Sequence, residues 1–249
     1  MGAIKLTNIA KEHEVAGAKR LRVLEDISFE AVAGSFTSIL GPSGCGKSTI
    51  LNLIARLDRQ SSGEISTAGD RIGFVFQQPR LLNWRTVADN VTLPLEQQNL
   101  DKTALRALAM KYLELVGLGG YENYYPLQLS GGMQQRVAIA RALAIDPDIL
   151  LMDEPFSGLD EITSRKLRQE LLQIWKQTGK TILFVTHSIA ESVFLSQQIL
   201  IVSAKPARIF KRLTIDLPYP REYGDLRLFE IETQLTRDFL GMDAGKMGP

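Results

Sequence analysis

The nine residues Gly41-Pro42-Ser43-Gly44-Cys45-Gly46-Lys47-Ser48-Thr49 constrain this chain more than any other stretch. They follow the β-branched and apolar run Phe36-Thr37-Ser38-Ile39-Leu40 and precede Ile50, Leu51, Leu53, Ile54 and Leu57, which recur at helical spacing. The segment therefore reads as strand, loop and helix. Three glycines permit backbone torsions that a Cβ would forbid, so successive N–H groups can turn toward one anion at the positive end of the helix dipole. A phosphate group suits such a cradle. Lys47 would add a point charge for terminal phosphates, and Ser48 a hydroxyl for Mg²⁺. For these nine residues alone, a glycine-rich turn with an exposed lysine stays open as the other reading.

Composition limits what surrounds this loop. The 249 residues are 45% hydrophobic, enough for the core of one large α/β domain or a domain with a subdomain. With 29 basic and 28 acidic side chains the formal net charge is +1, which gives no general argument for nucleic acid or an anionic membrane as partner. A single cysteine, Cys45, excludes an intrachain disulfide and fits a reducing compartment. The start Met1-Gly2-Ala3-Ile4-Lys5 lacks the order of a secretory signal, and no apolar run approaches the roughly 18 residues that span a bilayer. Work at a membrane would require docking on a partner that crosses it.

No repeat, low-complexity tract or long linker divides the chain. Residues 1–35 read as short strands broken by turns, with Leu21, Val23, Leu24, Ile27 and Phe29 among polar neighbours. Strand signals return at Ile65 and from Ile72 to Phe76. Leu105, Leu108, Ala109, Tyr112, Leu113 and Val116 follow a 3.6-residue period, with Asp101 as N-cap and Gly117 as stop. A further helix opens at Leu129-Ser130-Gly131-Gly132 and runs to Ala144. Ile149–Met152 reads as a strand buried on both faces, and Thr163–Lys176 as a helix. Lys180–Thr186 reads as a strand ending at His187. Strands alternating with helices predict a largely parallel sheet with ligands at the strands' carboxyl ends, where the glycine loop, Asp153, Glu154 and His187 all lie. The tail from Lys205 carries Pro206, Pro218, Pro220 and Pro249, with a charged amphipathic stretch from Asp225 to Leu240.

A phosphate cradle needs a metal and a water to become a hydrolase, and the end of the Ile149–Met152 run supplies candidates for both. Asp153 suits a Mg²⁺ coordination sphere, and Glu154 a base that polarises water beside a terminal phosphate. The structural alternative is an acidic strand end before the turn at Pro155.

Leu129-Ser130-Gly131-Gly132-Met133-Gln134-Gln135-Arg136 resembles the signature motif of ABC transporter ATP-binding subunits. Gln77 is similar to the family's Q-loop residue, Ser157-Gly158-Leu159-Asp160 to its D-loop and His187 to its switch histidine, all in family order over about residues 4–215. The resemblance implies an α/β P-loop NTPase fold. Its mostly parallel core sheet carries an N-terminal antiparallel β subdomain and an inserted helical subdomain at about 82–145, and residues 216–249 form an appendage. It also implies ATP and Mg²⁺ as ligands. Gly41–Thr49 and Gln77 would bind nucleotide; Ser48, Gln77 and Asp153 the metal; Glu154 and His187 would serve hydrolysis. Two subunits would pair head to tail, either two copies or this chain with a paralogue. Ser130, Gly131, Gly132 and Gln134 would then cap the partner's ATP, and Asp160 would shape the contact. Family members usually stack an aromatic on adenine near the end of the first strand; here that position falls on His13, whose imidazole offers less area.

The segment Leu81–Val91 is similar to importers for nitrate, sulfonate, taurine and related ions, as is the tail element Pro220-Arg221. This likeness implies an integral membrane permease, an associated substrate-binding protein and a peripheral place on the cytoplasmic face of a bacterial inner membrane. Trp84 and Arg85 then become residues of the permease groove, against the plainer reading of a core tryptophan and a solvated arginine. A soluble ABC ATPase acting on DNA or ribosomes is the other class, but the chain has one cassette and no sustained heptads. A non-hydrolysing adaptor would lack Glu154 or His187.

Overall fold

The computed structural model describes residues 2–14, 20–98 and 100–244. In chain order these form β1 (Ile4–His13), β2 (Leu21–Ala31), β3 (Phe36–Leu40), α1 (Lys47–Ile54), β4 (Ser62–Thr67), β5 (Ile72–Val75), α2 (Val87–Thr92) and α3 (Lys102–Leu115). There follow α4 (Gly131–Ala144), β6 (Ile149–Asp153), α5 (Glu161–Thr178), β7 (Thr181–Thr186), α6 (Ile189–Leu195), β8 (Gln198–Val202), β9 (Ile209–Thr214) and α7 (Leu226–Ala244). Two compact units result: one joins the residues through Ala3 to Ala68–Ile182, the other joins Ile4–Thr67 to the chain from Leu183 onward.

In the second unit β1 lies between β2 and β4, antiparallel to both. The sequence predicts short strands broken by turns over residues 1–35; the structure instead has strands of 10 and 11 residues, with residues 15–19 outside the described set. Two facing bulges explain the difference. Asn8 (φ 49°) and Asp26 (φ 52°) both have left-handed backbones, and the Asn8 side-chain amide donates to Asp26 Oδ1 at 2.7 Å. The register shifts between Leu6 and Ile9, so the buried apolar positions of β1 run Ile4, Leu6, Ile9 and lose their strict alternation. An extra residue in each strand looks, in sequence, like a turn.

The same unit holds β3 parallel to β8, from Thr37 opposite Gln198 to Leu40 opposite Ile201, with β9 antiparallel on the far side of β8. Every residue of β3 is buried, which is why it reads as a continuous run. Phe36 and Phe184 meet edge to face with centroids 5.9 Å apart, a geometry worth about 0.5–1.5 kcal/mol beyond area burial.

In the first unit β5 runs parallel to β6, pairing Ile72 with Ile149 and Val75 with Met152. Helices α2, α3 and α4 pack together. The α3 boundaries follow the sequence signals: Asp101 accepts from the Ala104 N–H at 2.7 Å, and Gly117 (φ 68°) turns the chain away. Ala109, Tyr112 and Leu113 form its buried stripe.

Candidate functional site

Buried β3 delivers the glycine loop at its carboxyl end, and the glycines there answer two different demands. A Cβ on Gly41 would lie 2.4 Å from Val202 Cγ2, so the neighbouring strand leaves no room for one. Gly44 (φ 72°) and Gly46 (φ 125°) instead supply left-handed torsions. Gly46 precedes α1 and offers no side-chain acceptor to the helix's first amides, which suits them to an anion. Lys47 is buried; its Nζ donates to the carbonyls of Gly41 at 2.9 Å and Pro42 at 3.0 Å, arching back over the loop. Ser48 is exposed on the first turn. Cys45 is buried, and that burial pushes its thiol pKa up, which fits a packing role.

His187 follows β7 and is exposed. The Gly41 N–H donates to the Thr186 carbonyl at 3.4 Å, so the cradle's first residue sits against the residue preceding His187. His13 is exposed at the end of β1, opposite Leu21.

The first unit assembles a second group. Because Val75 is paired with Met152, Gln77 and the Asp153-Glu154 pair leave the same edge of two parallel strands. The Gln77 amide donates to Ser157 Oγ at 3.2 Å. Glu154 has a left-handed backbone, φ 41°, uncommon for a residue with a Cβ, and its carbonyl accepts from the Ser157 N–H at 3.1 Å. The hydroxyl, amide and carboxylate oxygens of Ser48, Gln77 and Asp153 are hard donors of the kind Mg²⁺ takes. Among the described residues no group of three or more His, Cys, Asp and Glu side chains could hold a metal ion.

Ser130 caps α4, its Oγ accepting from the Met133 N–H at 3.4 Å. Gly132 is small for a packing reason: a Cβ there would come 2.6 Å from Thr163 Cγ2 on α5. Gln134 donates to the carbonyls of Pro126 at 3.0 Å and Leu129 at 3.2 Å, which pins the approach to the glycine pair. Asp160 caps α5 through the Thr163 N–H at 3.0 Å, and that hydrogen bonding holds its carboxyl below the usual range.

Trp84 is 75% exposed, which removes the reading of a core tryptophan. Arg85 is ion-paired with Glu96. In the same unit a groove of about 390 Å³ is lined by Phe74, Phe76, Arg80, Leu93, Pro94 and Arg141, among others. Arg80 lies over the Phe76 ring at 4.4 Å, and Arg141 donates to the carbonyls of Pro79 at 2.6 Å and Arg80 at 2.9 Å. Sequence reasoning missed Arg141, because an arginine in the last turn of a helix ordinarily reads as solvated.

A family model described as ABC transporter matches residues 24–157. The chain is 44% identical over 228 residues to the aliphatic sulfonates import ATP-binding protein SsuB of Bacillus cereus, covering 89% of this chain and 90% of that protein. It is 45% identical over 200 residues to the taurine import ATP-binding protein TauB of Yersinia pestis, covering 78% of each. Among solved structures, the dimeric post-hydrolysis state of an ATP-binding cassette bound to ADP and Pi matches with a TM-score of 0.76 at 34% identity, over 88% of this chain and 100% of that one.

Proposed function

The chain belongs to the ABC transporter family of ATP-binding subunits, and from that premise we propose that it powers import of a small organic or inorganic ion of the sulfonate, taurine or nitrate kind through a membrane permease. The observation that carries the reading is the full set of hydrolysis motifs on a chain whose relatives are named as import subunits for sulfonates and taurine. The ATPase domain is assigned to about residues 1–215, with its helical insertion at about 82–145 and the appendage at 216–249.

ATP is assigned to the Gly41–Thr49 loop, where inward amides and Lys47 take the phosphates; His13 is the candidate stack for adenine. Ser48, Gln77 and Asp153 are the candidate metal residues, and a bound Mg²⁺ would neutralise charge on the phosphate oxygens. Glu154 orients and deprotonates the attacking water, with His187 toward the γ-phosphate. Ser130, Gly131, Gly132 and Gln134 cap the nucleotide of a second subunit, and Asp160 contributes to the same contact. A head-to-tail pair closed by ATP and released by hydrolysis is a two-state element biased by its ligand. The dimeric state of the matching cassette supports this arrangement. Trp84 and the groove beside Phe74 and Phe76 are the proposed permease contact. Among the described residues no helix is long and apolar enough to cross a membrane, so the place at the membrane comes from that partner, with a substrate-binding protein on its far side.

The test is an affinity pull-down of tagged Glu154→Gln protein with Mg·ATP from detergent-solubilised native membranes, read by mass spectrometry. An integral membrane permease is the expected partner. Recovery of ribosomal or DNA-associated proteins alone would favour the soluble ATPase class instead.

A further inference from the structure

Helix α6 begins two residues after His187 and is only 7 residues long. A helix that short does not hold itself in water, so its orientation depends on what anchors each end. Its first turn is closed onto the strand end beside His187. Thr186 Oγ1 donates to the Glu191 carboxylate, the Ser188 N–H donates to Thr186 Oγ1 at 3.0 Å, and the Glu191 N–H donates to Ser188 Oγ at 3.3 Å. His187 stands at the apex of this ring with its side chain exposed.

The other end is anchored by the tail. Arg221 is 4% exposed, and its Nη1 donates to the carbonyls of Val193 at 2.7 Å, Phe194 at 3.3 Å and Ser196 at 2.8 Å. Its Nη2 donates to the Leu217 carbonyl at 3.1 Å. Tyr219 fills the gap in the series: its hydroxyl donates to the Leu195 carbonyl at 2.7 Å while its ring lies 4.3 Å beneath the guanidinium. Phe194 stacks on Tyr223 at 4.2 Å. Four successive carbonyls at the helix end, the groups a helix leaves without internal partners, are thus all taken by two side chains of one tail segment. A guanidinium is the one side chain with enough donors in a rigid fork to do this, and its charge complements the negative end of the helix.

We propose that Arg221, seated on Tyr219, is a positioning residue for His187: it fixes α6 from its carboxyl end and so holds the Thr186–Ser188 ring that presents the imidazole. This rests on the role assigned above to His187. The Pro220-Arg221 element is then a working part of the ATPase rather than a spacer before α7. A purely structural role for Arg221 would lower stability without moving the imidazole.

The chain has only 2 histidines, so histidine-selective NMR of the full-length protein resolves His187 once a His13→Gln variant has assigned the pair. Arg221→Lys keeps the charge but not the fork. It is expected to move the His187 resonance from its wild-type position, leave His13 unshifted, and lower kcat about fivefold or more with the KM for ATP within about twofold. Tyr219→Phe, which keeps the ring and loses one donor, serves if the lysine variant does not fold, and is expected to give a smaller change of the same sign. A folded variant with an unmoved His187 signal, or a loss that appears in KM alone, overturns the inference. Full turnover in His187→Ala would instead overturn the role of His187, while the NMR result reads the anchoring independently.

Discussion

Gln77 and Ser157 lie 80 residues apart in the chain and meet across 3.2 Å, the amide of one donating to the hydroxyl of the other. The meeting follows from parallel strands, because β5 and β6 end side by side and release their next residues at one edge. Glu154, with its left-handed backbone, sits between the strand end and this hydrogen bond. The segments that follow the two strands are thereby tied together at one edge, by the Gln77–Ser157 contact and by the Ser157 N–H on the Glu154 carbonyl.

Glu154→Gln should keep ATP affinity and lose turnover by about a hundredfold or more, the scale of losing a positioned base. The amide is isosteric, so the fold should not change. Size-exclusion chromatography with Mg·ATP should show a dimer that persists. A variant that turns over normally would remove Glu154 from the chemistry.

Lys47→Ala removes the one charged side chain of the Gly41–Thr49 segment. ATP affinity measured by titration calorimetry should fall about tenfold or more, in line with loss of a charge-assisted contact. The contacts to the Gly41 and Pro42 carbonyls lie within the loop itself, so circular dichroism should be unchanged. Undiminished affinity would place the phosphates elsewhere.

Ser130→Arg adds bulk and positive charge at the N-terminal end of α4. Monomer affinity for ATP should be preserved, while ATP-driven dimerisation of the Glu154→Gln background should be abolished, since on the proposed composite site the arginine would occupy the partner's phosphate position. Light scattering distinguishes the outcomes, and normal dimerisation would count against a composite site.

Asp58 accepts from Lys11 Nζ at 2.6 Å, and this contact holds its carboxyl below the ordinary range. A folded-state pKa below the unfolded value means the stabilisation is complete above the unfolded value of about 3.9 and is lost as pH falls through the folded one. Asp58→Asn should therefore lower stability at pH 7 and flatten its decline in acid. Denaturation midpoints at neutral pH and near pH 3 would check both, and an unchanged acid limb would show that the pair carries no linkage.

The elements with local signals were legible before any coordinates. Asp101 and Gly117 bracket α3, Ser130 opens α4, and the glycine loop announces its strand and helix. Apolar period and caps are properties of neighbouring residues, so the sequence displays them directly. The bulges at Asn8 and Asp26 were not legible, because each is recognisable only from the partner strand that sets its register. Arg141, and the partners of the Arg221 that the sequence marks only as a family likeness, were hidden for a related reason. The acceptors of both arginines are backbone carbonyls, and a carbonyl leaves no trace in residue identity.

The backbone at Glu154 sets thermal endurance against work at a single position. A Cβ in the left-handed region costs about 1 kcal/mol, a penalty that glycine would escape. Selection for heat resistance alone would therefore favour Glu154→Gly, and on the role proposed for Glu154 the survivor would melt later and turn over ATP more slowly. A library of this chain sorted for stability should accumulate that substitution, and one sorted for transport should never contain it.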